Sequence, residues 1–220
     1  MNHKLSIAYL TLIIVPLFFG CGGPVKEENK NNASASSISL HVGNEKYVVI
    51  DTKESVVTWR GYNLNGLNSQ TGYVYISKGE LLIENGELMG GIVEVDMNTI
   101  EDKKHGRDNK LVNHLKDPDF FEVEKFPFST IAITSVTSIS GESKKVTGNL
   151  TIEGITKAVT FPANMYFKDG MDGTVEMNGT LVIDRTEWGI NYGSLKLINQ
   201  SVDGAISDDV KLFMKIVAKK

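Results

Sequence analysis

From residue 45 onward, apolar and polar positions alternate with a period of two, the pattern of strands that bury one face. In residues 146–153, Val146, Gly148, Leu150 and Ile152 share one face, and Thr147, Asn149, Thr151 and Glu153 share the other. Val175, Met177, Gly179, Leu181 and Ile183 repeat this arrangement against Thr174, Glu176, Asn178 and Thr180. Farther on, Val210, Leu212, Met214, Ile216 and Ala218 alternate with Asp209, Lys211, Lys215 and Lys219, although Phe213 and Val217 make the outer face partly apolar. Shorter runs of the same kind predict strands over 47–50, 56–62, 72–76, 80–83, 87–97, 128–136 and 157–167.

Turn chemistry separates these runs. Asn85-Gly86 favours the positive φ angles of a tight hairpin, and Asp169-Gly170 and Asp172-Gly173 punctuate a later pair. So many strands joined by short turns predict an all-β, antiparallel sheet, which satisfies its edges most simply by closing into a barrel or folding into a sandwich. One stretch departs from the pattern. Leu111, His114 and Leu115 stand at helical spacing within 107–116 and are followed by Asp117-Pro118, which predicts one short helix in a connection. Phe120, Phe121, Val123, Phe126 and Phe128 follow, an apolar concentration that a folded domain buries. This connection is expected to cover one end of the barrel.

The first residues have a different character. Lys4 precedes an apolar run, Ile7 to Phe19, that is interrupted by Pro16 and ends at Gly20-Cys21. A membrane-spanning helix needs about 20 apolar residues, and this run is shorter, so residues 1–20 read as an export signal. Leu17-Phe18-Phe19-Gly20-Cys21 resembles a bacterial lipobox, with Phe18 where a smaller aliphatic residue is usual; the resemblance implies cleavage before Cys21 and lipid attachment to its sulfur. Cys21 is the only cysteine, so an intramolecular disulfide is excluded. Residues 21–44 are rich in Gly, Lys, Glu, Asn, Ala and Ser and predict a tether, leaving 45–220 as one domain. The expected location is exported and lipid-anchored to an envelope membrane, facing the periplasm or cell surface.

Charge and chemistry narrow the function further. The signal contains Lys4 and no acid, so the remainder keeps 22 of the 23 Lys and Arg against all 27 Asp and Glu, a net charge of −5 that argues against nucleic acid. Nucleophile and phosphate-loop signatures are absent, and no catalytic residue is assigned. Asp102, His105 and Asp108 carry metal-ligand chemistry, but their charged loop reads as a solvated one, and no metal or cofactor is assigned. His114, on the apolar side of its helix, reads as a core or cap residue.

Several segments, in order, resemble the YceI family of lipocalin-like domains associated with polyisoprenoid binding. They begin with Val57-Thr58-Trp59-Arg60-Gly61-Tyr62 and Gly90-Gly91-Ile92-Val93-Glu94-Val95-Asp96-Met97-Asn98-Thr99-Ile100. Next come His114-Leu115-Lys116-Asp117-Pro118-Asp119-Phe120-Phe121-Glu122-Val123-Glu124-Lys125-Phe126-Pro127 and Val146-Thr147-Gly148-Asn149-Leu150-Thr151-Ile152-Glu153-Gly154-Ile155-Thr156-Lys157, then Val159-Thr160-Phe161-Pro162. Asp184-Arg185-Thr186-Glu187-Trp188-Gly189-Ile190-Asn191-Tyr192-Gly193-Ser194 and Ile206-Ser207-Asp208-Asp209-Val210 complete the order. The resemblance implies an extended antiparallel β-barrel of about eight strands over 45–220, holding an isoprenoid lipid such as a quinone or polyprenyl chain, with no catalytic apparatus. Related chains often carry a His near a Gly-Thr-Val step; this chain has Asn68-Ser69-Gln70-Thr71-Gly72-Tyr73 there, so any headgroup contact from such a His is missing.

The residues themselves suggest where a ligand would lie. A barrel of about eight strands is either filled by its side chains or left open for one ligand. Gly61, Gly148 and Gly179 fall on apolar faces, where each either opens space or marks a bulge or corner. Trp59, Tyr73, Tyr75, Leu150, Ile152, Met177, Leu181, Val210, Leu212 and Met214 are the candidate lining, with the three glycines. The leading expectation is a binding module that stores, carries or buffers an apolar ligand. Its alternatives are a filled barrel that docks an envelope protein or a second copy of the chain, and a metal-dependent hydrolase using the His105 region.

Overall fold

The computed structural model describes residues 38–41, 46–64, 68–168, 173–196 and 205–219. These lie in one compact unit, residues 31–220; the signal, Cys21 and most of the expected tether lie outside them, as do Asp169-Gly170 and Asp172. Nine strands form a single antiparallel sheet: β1 (Tyr47–Ile50), β2 (Val56–Tyr62), β3 (Ser69–Glu84), β4 (Glu87–Asp102), β5 (Phe128–Ser140), β6 (Ser143–Ile152), β7 (Ile155–Lys168), β8 (Thr174–Asp184) and β9 (Asp209–Lys219). The spatial order is β1-β3-β2-β9-β8-β7-β6-β5-β4, and β3 also pairs with β4. β2 to β9 therefore close on themselves as an eight-stranded lipocalin-like barrel, and β1 is the one extra strand.

β1 continues the line of β2 with a break between them. Both pair with the same neighbours, β1 with Glu80 to Leu82 of β3 and Ala218–Lys219 of β9, and β2 with Ser69 to Val74 and Lys211 to Lys215. Val217 of β9 pairs with Glu176 of β8 on one side but faces the break on the other, where neither β1 nor β2 offers it a partner. Asp51 N donates to its carbonyl at 2.7 Å. The buried Ser55 hydroxyl completes the repair, donating to Val217 O at 3.2 Å and accepting from Val217 N at 2.8 Å. A buried backbone group must be paired, and one side chain does here what a ladder does elsewhere.

The two ends of the barrel differ. One end carries the tight Asn85-Gly86 hairpin, with φ of 51° and 76°, and the Gly141-Glu142 turn. Below these turns Ile50, Leu81, Leu88, Val146, Met165, Val175 and Ala218 pack into a solid core, so this end is closed. The other end carries the long connections: β4 to β5 through helix α1 (Lys110–Lys116), and β8 to β9 through a 3₁₀ turn (Arg185–Trp188). The helix is shorter than the 107–116 expected, because Asn109 caps it, its Oδ1 accepting from Leu111 N and Val112 N at 3.0 and 3.1 Å. Val112 is fully buried beneath it with Met97, Ile100 and Val123.

Three register shifts bend the β3–β4 pair. At the first, residues 97–100 of β4 loop out opposite Val74, and the Thr99 hydroxyl takes the freed Tyr75 N–H at 2.9 Å. The second adds Ser77 to β3 and so turns the Glu80 carboxylate onto the outer face, where Glu94 of β4 also lies between inward Val93 and Val95; both are nevertheless buried. Part of the cover is residues 38–41, which composition placed in the tether. Ile38 is buried and its carbonyl accepts from Lys78 Nζ at 2.6 Å; His41 N donates to Glu80 Oε2 at 2.8 Å, and its ring pairs with Glu80 Oε1 and stacks on Tyr47. The strap runs along β3, Ile38 beside Lys78 and His41 beside Glu80, before Lys46 O accepts from Ile83 N. With every described strand paired within 46–219 and two buried clusters joined through partly buried Val95, Leu115, Phe121, Leu212 and Met214, residues 31–220 form a self-sufficient fold.

Candidate functional site

Alternation along β9 locates a cavity. Val210, Leu212 and Met214 point inward yet are only half-buried, whereas Ile216 and Ala218, one and two rungs farther on, are 2% and 0% exposed. The surface left on the first three faces an internal space of about 240 Å³. Ile216 lies on its floor, and its wall reaches the surface at Gln70, at the end carrying the long connections, which is the mouth. Apolar cavities of about 150 Å³ stay dry and take up benzene, so a void of this size and composition favours an apolar guest over water.

Of the candidate residues, Trp59, Gly61, Leu150, Ile152, Met177, Leu181, Val210, Leu212 and Met214 meet on this wall. Gly61 is the position where a missing side chain opens space: a Cβ built there meets nothing within 4 Å. Gly148 and Gly179 do not line the cavity. A Cβ at Gly148 would lie 2.7 Å from Ala132 O, so that glycine permits close approach of β5; one at Gly179 would touch Met214 Cε and the Phe161 ring at 3.1 Å, where neighbours have already filled the space. Tyr73 and Tyr75 are also off the wall, because Val74 and Ile76 take the inward positions of β3. The Tyr75 hydroxyl donates to Glu101 Oε1 at 2.6 Å outside the barrel, and Arg107 lies 5.4 Å over its ring.

Further lining comes from residues outside the candidate set: Val93, Val95 and Met97 of β4, Ile131 and Ile133 of β5, and Leu111, Leu115, Phe120 and Phe121 of the α1 connection. The β4 and β5 residues carried a usable signal in their alternate spacing. The residues of the α1 connection carried theirs in the run of aromatic residues that placed this connection over one end of the barrel, and they reach the cavity by folding back across its mouth. Two connections share that mouth. They meet where His114 packs against Phe120 and Tyr192, with ring centroids 5.0 and 4.6 Å away, and Phe120 lies 5.2 Å from Tyr192.

The polar side of the wall is sparse: Tyr62, Asn63 and Gln70 at the rim, Ser129 and Thr130 on β5, and Arg185 with Ser207 across the mouth. Arg185 is a staple. Its Nη1 donates to Ile190 O at 2.7 Å, Nε to Ser207 O at 3.1 Å and Nη2 to Ile206 O at 3.3 Å, tying both limbs of the β8–β9 connection together. Burial pulls its guanidinium below the ordinary value, and Asp208 and Asp184 oppose that pull. Trp188 is locked beside it through Nε1 to Leu150 O at 3.2 Å. Trp59 differs: its ring lies over Gly72, and its Nε1 is buried with no hydrogen-bond partner among the described residues. Away from the cavity, Lys104 N donates to the Asp102 carboxylate at 2.8 Å and the His105 ring pairs with it at 2.7 Å, and these two contacts, in that order, hold the Asp102 pKa below its ordinary value. Asp108 is not part of that contact.

A closed antiparallel barrel whose interior is an apolar cavity, floored by core and open at one end, defines a lipocalin-like β-barrel. The chain belongs to the YceI-like domain family, whose model matches residues 48–218. Among its relatives, UPF0312 protein SA2479 of Staphylococcus aureus (strain N315) is 39% identical over 99 residues, 43% of this chain and 52% of that protein. UPF0312 protein SAUSA300_2620 of strain USA300 is 41% identical over the same shares. The chain thus spans about half the length of the curated relatives it matches. The fold is similar to that of Burkholderia cenocepacia BcnA, with a TM-score of 0.61 and 19% identity over 77% of this chain and 99% of that one. It is also similar to a polyisoprenoid binding domain from Saccharophagus degradans implicated in plant cell wall breakdown, with a TM-score of 0.58 and 13% identity over 79% and 98% of the two chains.

Proposed function

We propose that the barrel binds a long apolar ligand of the polyisoprenoid or isoprenoid-quinone class, as a binding protein rather than an enzyme, and that it stores, carries or buffers this ligand. The observation that carries the reading is the cavity itself: Leu, Ile, Val, Met and Phe side chains around an open core, with polar groups confined largely to the rim and one side. The Saccharophagus domain, similar in fold and described as polyisoprenoid binding, supports the same ligand class. A barrel filled by its own side chains, as a docking scaffold requires, is disfavoured by that open space. Lipid attachment at Cys21 and export to an envelope membrane complete the proposal, with the ligand drawn from that membrane.

The test is native mass spectrometry of residues 31–220 purified without detergent, with solvent extraction and mass identification of what is released. A stoichiometric isoprenoid is the expected result; protein that is empty and takes up no added quinone overturns it. Gly61→Leu sharpens the measurement. The side chain enters free space and φ there is not positive, and replacing a strand glycine stabilises by roughly 0.5–1 kcal/mol, so ligand occupancy falls while the melting temperature holds or rises.

A further inference from the structure

Nine large apolar side chains stand exposed among the described residues, and four of them sit in or beside the connections at the mouth. Leu64, 43% exposed, follows β2; Ile155, 39%, opens β7 after its hairpin; Tyr192 and Leu195, 44% and 39%, lie in the β8–β9 connection. Val49, Val182 and Phe213 are scattered on outward strand faces, and Met89 and Ile139 belong to the opposite half of the barrel. Single exposed apolar residues need no explanation, but a set gathered at the end of the barrel where an apolar cavity opens does.

We propose that the mouth end is a bilayer-docking surface, on which Leu64, Ile155, Tyr192 and Leu195 enter the headgroup region and bring the cavity opening against lipid. The inference rests on reading the cavity as a lipid site: such a guest leaves a membrane for the barrel without crossing water only if the opening touches the membrane. Tyrosine suits that depth, its ring apolar and its hydroxyl wet. The strap adds an independent argument. β1 begins at the closed end, so a chain entering there directly would lead its upstream residues away from the mouth. Instead the strap lies alongside β3, where Lys78 and Glu80 hold Ile38 and His41 so that Ile38, the first described residue, stands nearer the mouth than His41 does. From Lys78 to the mouth end of β3 at Ser69 is nine residues, about 30 Å. The sixteen residues between Cys21 and Ile38 span up to about 60 Å when extended, enough to set an anchor at Cys21 in the same plane as the rim.

Orientation is measurable directly, because residues 31–220 contain no cysteine. That unit, held by a hexahistidine tag at its first residue to phosphatidylcholine and phosphatidylglycerol vesicles carrying a nickel-chelating lipid, receives one polarity-sensitive dye. The dye sits at Leu64→Cys or Leu195→Cys at the mouth, or at Met89→Cys or Ile139→Cys on the opposite half. The expected result is a blue shift of the mouth dyes and several-fold stronger quenching by brominated lipid than at the opposite half. Equal quenching at both ends, none at the mouth, or the reverse order overturns the inference. Ligand content of the same samples separates the two readings: bound isoprenoid with silent mouth dyes removes docking alone, and quenched mouth dyes on an empty barrel leave docking standing and remove the ligand assignment.

Discussion

At Glu153 the demands of a turn and of burial collide. Glu153 and Gly154 form the two-residue link between β6 and β7, with φ of 49° and 73°, and this geometry drives the Glu153 side chain down beside Glu122 and Lys125 of the α1 connection. One carboxylate oxygen is buried without a hydrogen-bond partner among the described residues. Burial first, and the Glu122 charge second, push its pKa up to about 7, with Lys125 opposing. An acid raised in the folded state keeps its proton there after the unfolded chain has lost it, so this group's contribution falls as pH rises from about 4.5 to about 7 and is constant above. Thermal melts of the wild type and Glu153→Gln are expected to diverge from pH 5 to pH 8, with the variant the more stable at pH 8; an offset independent of pH means the carboxyl titrates normally. The residue scale also shows why Tyr73 and Tyr75 were misplaced by pattern. Residues 73–76 are apolar on both faces, so alternation identifies a strand there without saying which face is inside.

Elements were legible wherever only one face is apolar. β6, β8 and β9 match the alternating runs within a few residues at each end. β3 was read as two strands because the extra residue at Ser77 shifts the parity, so that Val74 and Ile76 point inward before it and Gly79 and Leu81 after it. No local pattern announces a change of phase of that kind; the aromatic run after α1 did announce a connection covering one end, but which of its residues, Leu111, Leu115 and Phe121 among them, line the cavity depends on contacts distant in sequence. The interrupted strand offers a test at this scale. Ser55→Ala leaves Val217 N–H buried and unpaired, which costs about 1–3 kcal/mol, read as a lower denaturant midpoint with little change in slope. An unchanged midpoint means that another group serves Val217 N–H. The β1–β2 break would then be tolerated without its hydroxyl.

For the whole molecule, the proposed anchor makes the simplest prediction. The full-length protein produced in a bacterial host partitions into the detergent-rich phase of a Triton X-114 extraction through acylated Cys21, and Cys21→Ser partitions into the aqueous phase. Wild-type protein found in the aqueous phase removes the anchor. Closure of the sheet matters to such a life on a surface. Tethered proteins meet one another in two dimensions at local concentrations far above those in solution, the setting in which exposed strand edges recruit neighbours into aggregates. Here β2 and β3, and β3 and β4, zip the barrel shut, and β1 finds partners on both sides. With no strand edge left open among the described residues, a protein anchored as proposed is suited to dense display, where charge and size rather than strand pairing set the limit.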